Sequence, residues 1–581
     1  MDTGNRNKSK GTVEIVGFIL QLFLICTIKA QATEGITGNW WPEQRPPKEI
    51  VICKVKQSDG REMNLAQSIA GLAAQSLNER KSTIGIWIST PNPNYEVYYR
   101  QLVSRIRAKE TGTQTVWTLI DRLKSLNIIQ GYVLYDYSRG DNSVNLATVY
   151  AGLKKGVLID ISQEAEAKSK GLTKLYDARD KKLDEIAFRT VSPQLNSSLL
   201  VLANPKFSNN RDYAIAHKCM VYYGIDSLFE KVLDFVKPLS PVIGWNNGDE
   251  FRQIAPCSVR GLVNIPADWC MNLSLLSASI NEKAAKIQSL DPKKIDWKED
   301  LNYQAFVMSD GDNLQWALGG FLNNQSYWTN TANSSIPMSF TSCPVNLLLA
   351  TPDVYSSLVA TQPLNVSIVE YGGGYYYPDL FGKATKNAEE LLRAYAKKIN
   401  INLKRTGTKV FGFICKNVSS PEALKAYQIY AEELEDITGI IAVQYSPYNG
   451  GHGKVFWAKN KKGIEIPIVA AKYQLWANLK KKGSGNPKAL SEFINTDNGI
   501  SANEKKLNWT IVHAWSHYFS PDADVPNNDR KSSKEGVHGV TPVQWTKDLI
   551  NSNTKIVSIE ELLWRIRMQH EPLITSKIIE K

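Results

Sequence analysis

The sequence lacks any pair of cysteines separated by two residues, which is the spacing typical of structural zinc sites. Its seven cysteines are widely and irregularly spaced, so no metal site is predicted from them. Disulfides are possible in an exported chain, and Cys257 and Cys270 are the closest pair in sequence. Several cysteines fall in apolar strand-like runs, and buried free thiols are therefore the favoured prediction.

A glycine-rich G-x-G-x-x-G turn is also missing after the first predicted strand, residues 49–55. In Rossmann folds that turn binds the pyrophosphate group of a dinucleotide. No dinucleotide site is therefore expected, and the sequence predicts no other cofactor.

Acidic residues are outnumbered, since 69 Lys and Arg against 57 Asp and Glu give a formal charge of +12. The basic residues are spread out. The local runs at residues 459–462 and 480–482 have no interleaved aromatic residues that would stack on bases. A mildly basic, solvated surface is favoured over nucleic-acid binding. An acidic glycan stays open as a substrate.

Long apolar runs are scarce, and the one candidate for a membrane-directed segment lies at the N-terminus. A basic stretch at residues 6–10 precedes an apolar run at residues 15–28, which is followed by Ala30, Gln31 and Ala32. This order predicts a signal peptide that is cleaved after Ala32. The apolar run is shorter than the roughly 20 residues that a spanning helix needs.

Cleavage of residues 1–32 predicts an exported bacterial protein, either periplasmic or secreted. A lipid anchor at Cys26 is the less favoured alternative, because Ile25 before it is bulky rather than small. No later stretch is apolar enough to span a membrane, so no membrane-spanning segment is expected after signal removal.

Residues 33–290 alternate between strand-like and helix-like patterns, which predicts a Rossmann-like α/β domain. Strands separated by helices favour parallel pairing through crossover connections. A charged stretch broken by Pro292 marks the predicted boundary, with a second domain at residues 291–581. Strand-like runs in this first half occur at residues 49–55, 84–89, 131–136, 156–160 and 199–203, and helical patterns at 64–75 and 116–126.

The second half contains eight apolar strand-like runs with helical patterns between most of them. Eight such units in about 250 residues predict a TIM-barrel-like (β/α) domain, and a distorted barrel of seven units is the alternative. The runs lie at residues 305–309, 336–342, 365–370, 410–415, 440–444, 466–471, 509–512 and 555–557.

One stretch of this half combines three glycines with three tyrosines and a proline, residues 371–378. The glycines allow a positive φ and the proline restricts the chain, so a rigid aromatic loop after a strand is expected. Residues 372–378 match G-x-G-Y-x-Y-P at every fixed position, and the chain resembles the GxGYxYP family of putative glycoside hydrolases. The resemblance extends through residues 309–313 and the N-terminal half. It implies a role in sugar processing and supplies no mechanism.

Chemistry in a barrel sits where the strands end, and three carboxylates follow strands there. Asp310 and Asp312 come after the first run, and Glu370 ends the third. Glycoside hydrolysis needs two carboxyl groups, so these three are the predicted catalytic residues. Asp249 and Glu250 could reach in from the preceding loop and are the next candidates if Glu370 lies far from both aspartates. In the structural alternative, Asp312 and Asn313 cap the helix that follows.

Further polar and aromatic residues at the strand ends are predicted to bind the sugar. A loop at residues 244–250 follows another apolar run and offers a tryptophan and two carboxylates, although a solvated turn is an equal alternative. The predicted substrate-binding residues are Trp245, Asp249, Glu250, Asn313, Tyr371, Tyr375, Tyr377, His513 and Trp515.

Two other function classes stay open at this point. The first is a metal-dependent carbohydrate deacetylase, which His513 and His517 together with the two aspartates would suit. A non-catalytic glycan-binding protein would use the aromatic residues alone. Residues 520–540 form a long polar stretch after a strand end, and we predict that they border the pocket as a lid.

Overall fold

The computed structural model describes residues 37–278, 283–333, 336–499, 506–526 and 535–580. The predicted signal peptide, including Cys26, lies outside these residues. All elements named below belong to the unit that begins at Asn39.

The first half of the described chain holds ten strands and ten α-helices. The strands are β1 (Glu49–Lys54), β2 (Ile84–Ile88), β3 (Lys109–Thr115), β4 (Gly131–Tyr135), β5 (Gly156–Asp160), β6 (Lys174–Asp177), β7 (Asn196–Leu202), β8 (Cys219–Tyr222), β9 (Pro241–Gly244) and β10 (Val263–Ile265). The helices are α1 (Gly60–Asn78), α2 (Pro93–Ile106), α3 (Val116–Ser125), α4 (Ser143–Lys154), α5 (Glu164–Ser169), α6 (Glu185–Val191), α7 (Arg211–His217), α8 (Ser227–Phe235), α9 (Glu250–Val259) and α10 (Leu273–Leu276).

These ten strands pair only in parallel, as the alternation of strands and helices predicted. They form three sheets in the orders β2-β1-β3, β5-β4-β6 and β10-β9-β7-β8. The mixed α/β class is confirmed. A Rossmann-like arrangement is not, because the strands are divided among three small sheets.

Helices begin where the sequence supplies capping side chains. The carboxylate of Asp59 accepts the N–H of Arg61 at 3.0 Å and starts α1. Asn92 caps α2 in the same way, and the proline after it has no N–H to satisfy. These local signals place the ends of the helices, while burial of their apolar faces supplies most of the stability.

The second half of the described chain holds thirteen strands and ten α-helices. The strands are β11 (Asn302–Met308), β12 (Met338–Ser342), β13 (Ser367–Tyr371), β14 (Val410–Cys415), β15 (Gly439–Gln444), β16 (Val455–Lys459), β17 (Glu465–Ala470), β18 (Tyr473–Leu475), β19 (Ser484–Gly485), β20 (Leu507–Val512), β21 (Tyr518–Ser520), β22 (Ala523–Asp524) and β23 (Thr554–Ile556). The helices are α11 (Leu314–Gly319), α12 (Trp328–Asn333), α13 (Pro344–Ala350), α14 (Pro352–Ala360), α15 (Ala388–Thr406), α16 (Pro421–Glu433), α17 (Pro487–Gly499), α18 (Val540–Asp548), α19 (Ile559–His570) and α20 (Pro572–Glu580).

Every one of the eight predicted strand-like runs of this half is a strand. They join one curled sheet in the order β16-β17-β15-β14-β13-β12-β11-β20-β18-β19, with β23 beside the start of β11. Pairing is parallel except between β16 and β17. Eight regular barrel units are not confirmed, because the last strand, β23, pairs with only the first three residues of β11.

The curl of the sheet comes from the segment that contains β17 and β18. The N–H of Ala471 donates to the carbonyl of Ala442 at 3.2 Å, on the β15 side. The N–H of the next residue, Lys472, donates to the carbonyl of Trp509 at 3.1 Å, on the β20 side. Two consecutive residues therefore hydrogen-bond to β15 and to β20, which brings these two parts of the sheet together and curls it.

The inner face of the curled sheet is filled by alternate strand residues, such as Ala305 and Val307 of β11. Helix α19 covers the end at which the strands begin. Its Leu563 packs in the same core, and its first N–H, from Ile559, donates to Ser339 of β12 at 2.9 Å. The opposite edge, where the strands end, is left available for a site.

The six cysteines among the described residues are buried and unpaired, which confirms the prediction of free thiols. No helix in the described ranges has both the length and the apolar character that a membrane span requires.

Candidate active site

A cavity of about 390 Å³ lies where strands of both halves end. Strands β9 and β10 of the first half and β11, β13 and β20 of the second lead into it. Nine of the predicted site residues line it, namely Trp245, Glu250, Asp310, Asp312, Asn313, Tyr371, Tyr375, His513 and Trp515. The cavity therefore gathers residues that lie far apart in sequence.

Asp310 sits in a tight turn directly after β11. Its backbone has φ of +66°, in the left-handed region that is unusual for a residue with a side chain. The hydroxyl of Ser309 donates to its carboxylate. A Cβ on Gly311 would lie 1.5 Å from the carbonyl oxygen of Thr341, so only glycine lets the turn press against β12. The turn fixes the Asp310 carboxylate at the cavity.

Asp312 is 7% exposed and lines the cavity. Its carboxyl group accepts no hydrogen bond from any other described residue. Burial, and then the charge of Asp310, raise the pKa of Asp312 to about 7. The capping alternative is not observed, because Asn313 occupies the N-cap position of α11 and makes no side-chain capping bond there. Both aspartates thus face the cavity and not the helix.

Glu250 is the first residue of α9 and reaches the cavity from the first half of the chain. The hydroxyl of Tyr375 donates to one carboxyl oxygen, and that of Tyr448 donates to the other at 3.3 Å. Burial, followed by the charges of Asp310 and Asp312, raises the pKa of Glu250 to about 8. The sequence predicted Glu250 as a substrate-binding residue, and the structure adds it to the carboxyl cluster.

Glu370 lies elsewhere, although it was predicted to be catalytic. It is fully buried and does not line the cavity. One of its oxygens accepts the N–H of Val345 at 2.8 Å, at the start of α13, and the other accepts the N–H of Gly373 at 3.0 Å. Burial raises the pKa of Glu370 to about 8, while the two N–H bonds act in the opposite direction. Both oxygens of Glu370 are thus occupied by backbone N–H groups, which favours a structural role, and its catalytic role stays a prediction.

The three-glycine loop joins the two halves of the protein. Tyr375 donates its N–H to the carbonyl of Asn264 in β10 at 2.7 Å, and its own carbonyl accepts the N–H of Asn264 at 3.0 Å. Gly374 has φ of +139°, and a Cβ on it would lie 2.4 Å from a methyl group of Val263. Glycine is required here because the loop lies directly on β10. This contact joins the half that contains Glu250 to the half that contains Asp310, and both residues line the same cavity.

The three tyrosines of the loop have three different environments. Tyr375 faces the cavity and stacks on Trp245, with ring centroids 6.3 Å apart. Tyr376 points into the core, where its hydroxyl lies 2.6 Å from that of Tyr430. Tyr377 is fully buried behind the cavity and packs against Phe251. The prediction that Tyr377 contacts the substrate therefore has no support in the geometry.

A second group of aromatic side chains, called here the second aromatic wall, also lines the cavity. The rings of His513 and Trp476 are parallel with centroids 3.7 Å apart, and Tyr448 stacks on Trp476 at 5.1 Å. Trp515 packs on Trp316 beside them at 4.7 Å. Flat aromatic surfaces and carboxyl groups of this kind can bind a sugar ring.

Asp249, a predicted binding residue, lies on the exposed surface outside the cavity. Its carboxylate accepts the N–H of Phe251 at 2.6 Å, which caps α9, and the hydroxyl of Tyr445 at 3.1 Å. Its position at the start of α9 helps to orient the neighbouring Glu250 backbone.

The sequence reasoning missed several residues that line the cavity. Tyr448 and Trp476 follow β15 and β18, a few residues beyond the predicted strand ends. Pro266 and Asp268 follow β10, a strand of three residues that the sequence pattern did not predict. The missed lining residues are Pro266, Asp268, Ser309, Gln315, Ile414, Tyr448, Trp476 and Ile511.

The histidines of the deacetylase alternative do not converge. His513 lines the cavity and its Nδ1 lies 2.9 Å from the Ser516 hydroxyl, whereas Nδ1 of His517 lies 3.1 Å from the carbonyl of Glu535. Within the described ranges, the group of three potential metal ligands that lie within reach of one another is Glu465, His570 and Glu571. That group does not line the cavity.

The predicted lid is described only in part. Residues 520–526 and 535–540 do not line the cavity, and residues 527–534 lie outside the described residues. The lid stays a prediction.

Family models match most of the described chain. The GxGYxYP putative glycoside hydrolase C-terminal domain matches residues 300–529, the GxGYxYP third domain matches 197–278 and the GxGYxYP_N second domain matches 129–196. Among solved structures, the chain is similar to a putative hydrolase from Bacteroides thetaiotaomicron, with a TM-score of 0.74. Identity is 20% over 91% of this chain and 97% of that chain, which shows a shared fold. A comparison with curated proteins found no match.

Proposed function

The chain belongs to the GxGYxYP family of putative glycoside hydrolases, and from this premise we propose that it hydrolyses glycosidic bonds in an oligo- or polysaccharide. One observation carries the proposal. The carboxyl groups of Glu250, Asp310 and Asp312 share one cavity, and the pKa values of Glu250 and Asp312 are raised. Hydrolysis needs this combination, because one carboxyl group protonates the leaving oxygen while another acts as base or nucleophile.

Glu250 is the proposed proton donor. Its pKa of about 8 means that the group holds its proton at neutral pH, which a general acid requires. The hydroxyls of Tyr375 and Tyr448 hold its two oxygens in a fixed direction. In the reaction, the Glu250 proton passes to the glycosidic oxygen as the bond between that oxygen and the anomeric carbon breaks.

Asp310 is the proposed partner of Glu250, as base or nucleophile. Its charge is one cause of the raised pKa in both Glu250 and Asp312. The Ser309 hydroxyl donates to its carboxylate and orients it. The Asp310 carboxylate then removes a proton from the attacking water or attacks the anomeric carbon itself.

The aromatic walls would hold the sugar between them. Trp245 and Tyr375 supply one flat surface, and Trp476 with His513 supplies the other. A sugar ring offers apolar C–H faces to such surfaces and hydroxyl groups to the carboxyl cluster. The same walls support the second candidate, a glycan-binding protein without turnover, in which the carboxyl groups would only accept hydrogen bonds.

Two finer points of the sequence analysis remain part of the proposal. The order of residues 1–32 supports export to the periplasm or the medium, so the glycan would be met outside the cytoplasm. The curled sheet of the second half would act as a distorted (β/α) barrel, with chemistry at the ends of its strands.

Turnover of a panel of oligosaccharides and aryl glycosides by purified protein tests the proposal. Once a substrate is found, E250Q and D310N should each lower kcat/KM by at least about a hundredfold. D59N is the matched control, because Asp59 caps α1 and does not line the cavity, and asparagine is an equally good helix cap. Glycan binding without turnover, unchanged in E250Q and D310N, would favour the binding protein instead.

A further inference from the structure

The charges around the cavity are one-sided. Carboxyl groups of Glu250, Asp268, Asp310 and Asp312 line it, and none of the described residues that line it is a lysine or an arginine. His513 is the one basic side chain among them, and its ring is stacked flat on Trp476. The cavity is therefore acidic, although the chain as a whole has a formal charge of +12.

Buried carboxylates elsewhere among the described residues are held by cations or by hydrogen-bond donors. Glu370, for example, accepts two backbone N–H groups. Asp353 is 2% exposed and binds the guanidinium of Arg105 through two bonds of 2.9 Å. Glu433 is 5% exposed and is paired with Arg393 at 2.8 Å and Lys461 at 2.7 Å. Such pairing is the general rule for a buried charge, because an isolated charge is costly to remove from water.

Asp312 departs from this rule at the cavity. It is as buried as the paired carboxylates, and no ion pair joins it to any described residue. Its carboxyl oxygens accept no hydrogen bond from another described residue, yet they border open space in the cavity. The positive or hydrogen-bond-donating group that would satisfy Asp312 must therefore come from a ligand or from a proton.

We propose, on the basis of the proposed function, that the cavity takes sugar units that are uncharged or carry a protonated amino group. Units that carry a carboxylate, sulfate or phosphate group are rejected. An ammonium group of an amino sugar donates charge-assisted hydrogen bonds to the free oxygens of Asp312. An anionic group at the same place meets the charge of Asp310, and none of the described lining residues is a lysine or an arginine, which lowers affinity by on the order of tenfold or more.

The basic residues that give the chain its net charge do not line the cavity, so the net charge does not favour an acidic sugar there. Lys416, for example, places its ammonium group 4.3 Å from the ring centroid of Phe251, and neither residue lines the cavity. Such charges steer a ligand towards the molecule, while the lining decides which sugar is accepted.

The test uses three monosaccharides that share the glucose ring and differ in charge: methyl glucoside, glucosamine and glucuronate. Saturation-transfer NMR and calorimetry with the full mature chain measure binding at fixed pH and ionic strength. The same measurements follow on oligosaccharides grouped as neutral, free-amino and uronate or sulfated. We expect binding in the neutral or amino groups and at least tenfold weaker binding of the matched anionic sugars.

A reversal of the lining charge sharpens the test. Gln315 lines the cavity and its side-chain carbonyl has no partner in the described structure, so Q315K adds a cation there. We expect Q315K to strengthen binding of the anionic sugar about tenfold relative to its neutral match, and D268N to act in the same direction more weakly. Melting curves confirm that both variants fold, and either one suffices for the comparison.

The outcomes separate this inference from the proposed hydrolase. Hydrolysis or tight binding of a uronate or sulfated glycan would overturn the inference and leave the hydrolase standing. The expected charge preference without turnover of any sugar would support the inference and contradict the proposed hydrolase activity. Failure of every neutral and amino-bearing sugar to bind would also contradict the inference.

Discussion

The ends of β11 and β13 look alike in sequence and differ in the structure. Each strand is largely buried, and a carboxylate lies near its end with a glycine shortly after, Asp310 after β11 and Glu370 in β13. Asp310 faces the cavity, while both oxygens of Glu370 are occupied by backbone N–H groups of α13 and the glycine loop. A carboxylate at a strand end is thus available for chemistry only if the backbone around it does not use it.

A comparison of Glu250 with Glu370 makes the same point more sharply. Burial raises the pKa of both groups to about 8. Glu250 is held by tyrosine hydroxyls and lines the cavity, whereas Glu370 is held by backbone N–H groups in the core. A raised pKa marks candidates for an acid, and position decides between them.

The largest effect on stability is expected at the glycine loop. G374A places a Cβ 2.4 Å from Val263 and adds a side chain at φ of +139°, so we expect the free energy of unfolding to fall by about 2 to 4 kcal/mol. Chemical denaturation measures it. In the control G463A, φ is +75° and nothing lies within 4 Å, so only the backbone cost of about 1 kcal/mol remains.

Equal losses in G374A and G463A would contradict the close contact between the loop and β10. A larger loss in G374A than in G463A, together with lower activity of G374A, would support a role of this contact in holding Glu250 and Asp310 in register across the two halves.

The next effect separates the two glutamates. E370Q keeps the shape of the side chain but turns an N–H donor towards the N–H of Val345 or Gly373. We expect it to lower the free energy of unfolding by about 1 to 3 kcal/mol. E250Q should change stability by less, because its carbonyl still accepts a tyrosine hydroxyl. A smaller stability loss in E370Q than in E250Q would reverse the roles assigned to them.

The smallest effect is expected on the aromatic wall. Removing the Trp245 ring in W245A should raise KM about tenfold, which corresponds to about 1.4 kcal/mol, and leave kcat nearly unchanged. Steady-state kinetics on the identified substrate measure both constants. Trp269 is 55% exposed and does not line the cavity, so W269A is the matched control and should leave both constants unchanged.

Much of the second half could be predicted from the sequence, because buried parallel strands are continuous apolar runs. The eight strands and the turn that holds Asp310 and Asp312 follow from that pattern alone. From the sequence, Glu250 was only a second-choice candidate for the carboxyl cluster. It comes from the other half of the chain, and the contact between Asn264 and Tyr375 that places it has no signature in either segment.

The buried environment of Glu370 could not be predicted from the sequence for a related reason. Its partners, Val345 and Gly373, are backbone N–H groups, and any residue other than proline supplies one. Trp476 was missed because β18 is only three residues long and follows the point where the chain crosses from β15 to β20. Irregular segments carry no period that predicts which way a side chain points.

The pH dependence of kcat/KM in the wild-type protein, E250Q and E370Q tests the central claim most directly. A general acid works only while protonated, so wild-type activity should fall as pH rises through about 8. Both glutamates have a pKa near that value, and only the variants tell them apart. We predict that E370Q keeps the fall near pH 8, and that E250Q loses it and shows a low, flat residual rate. A profile in which E250Q keeps the fall, or in which E370Q alone removes it, would contradict the account.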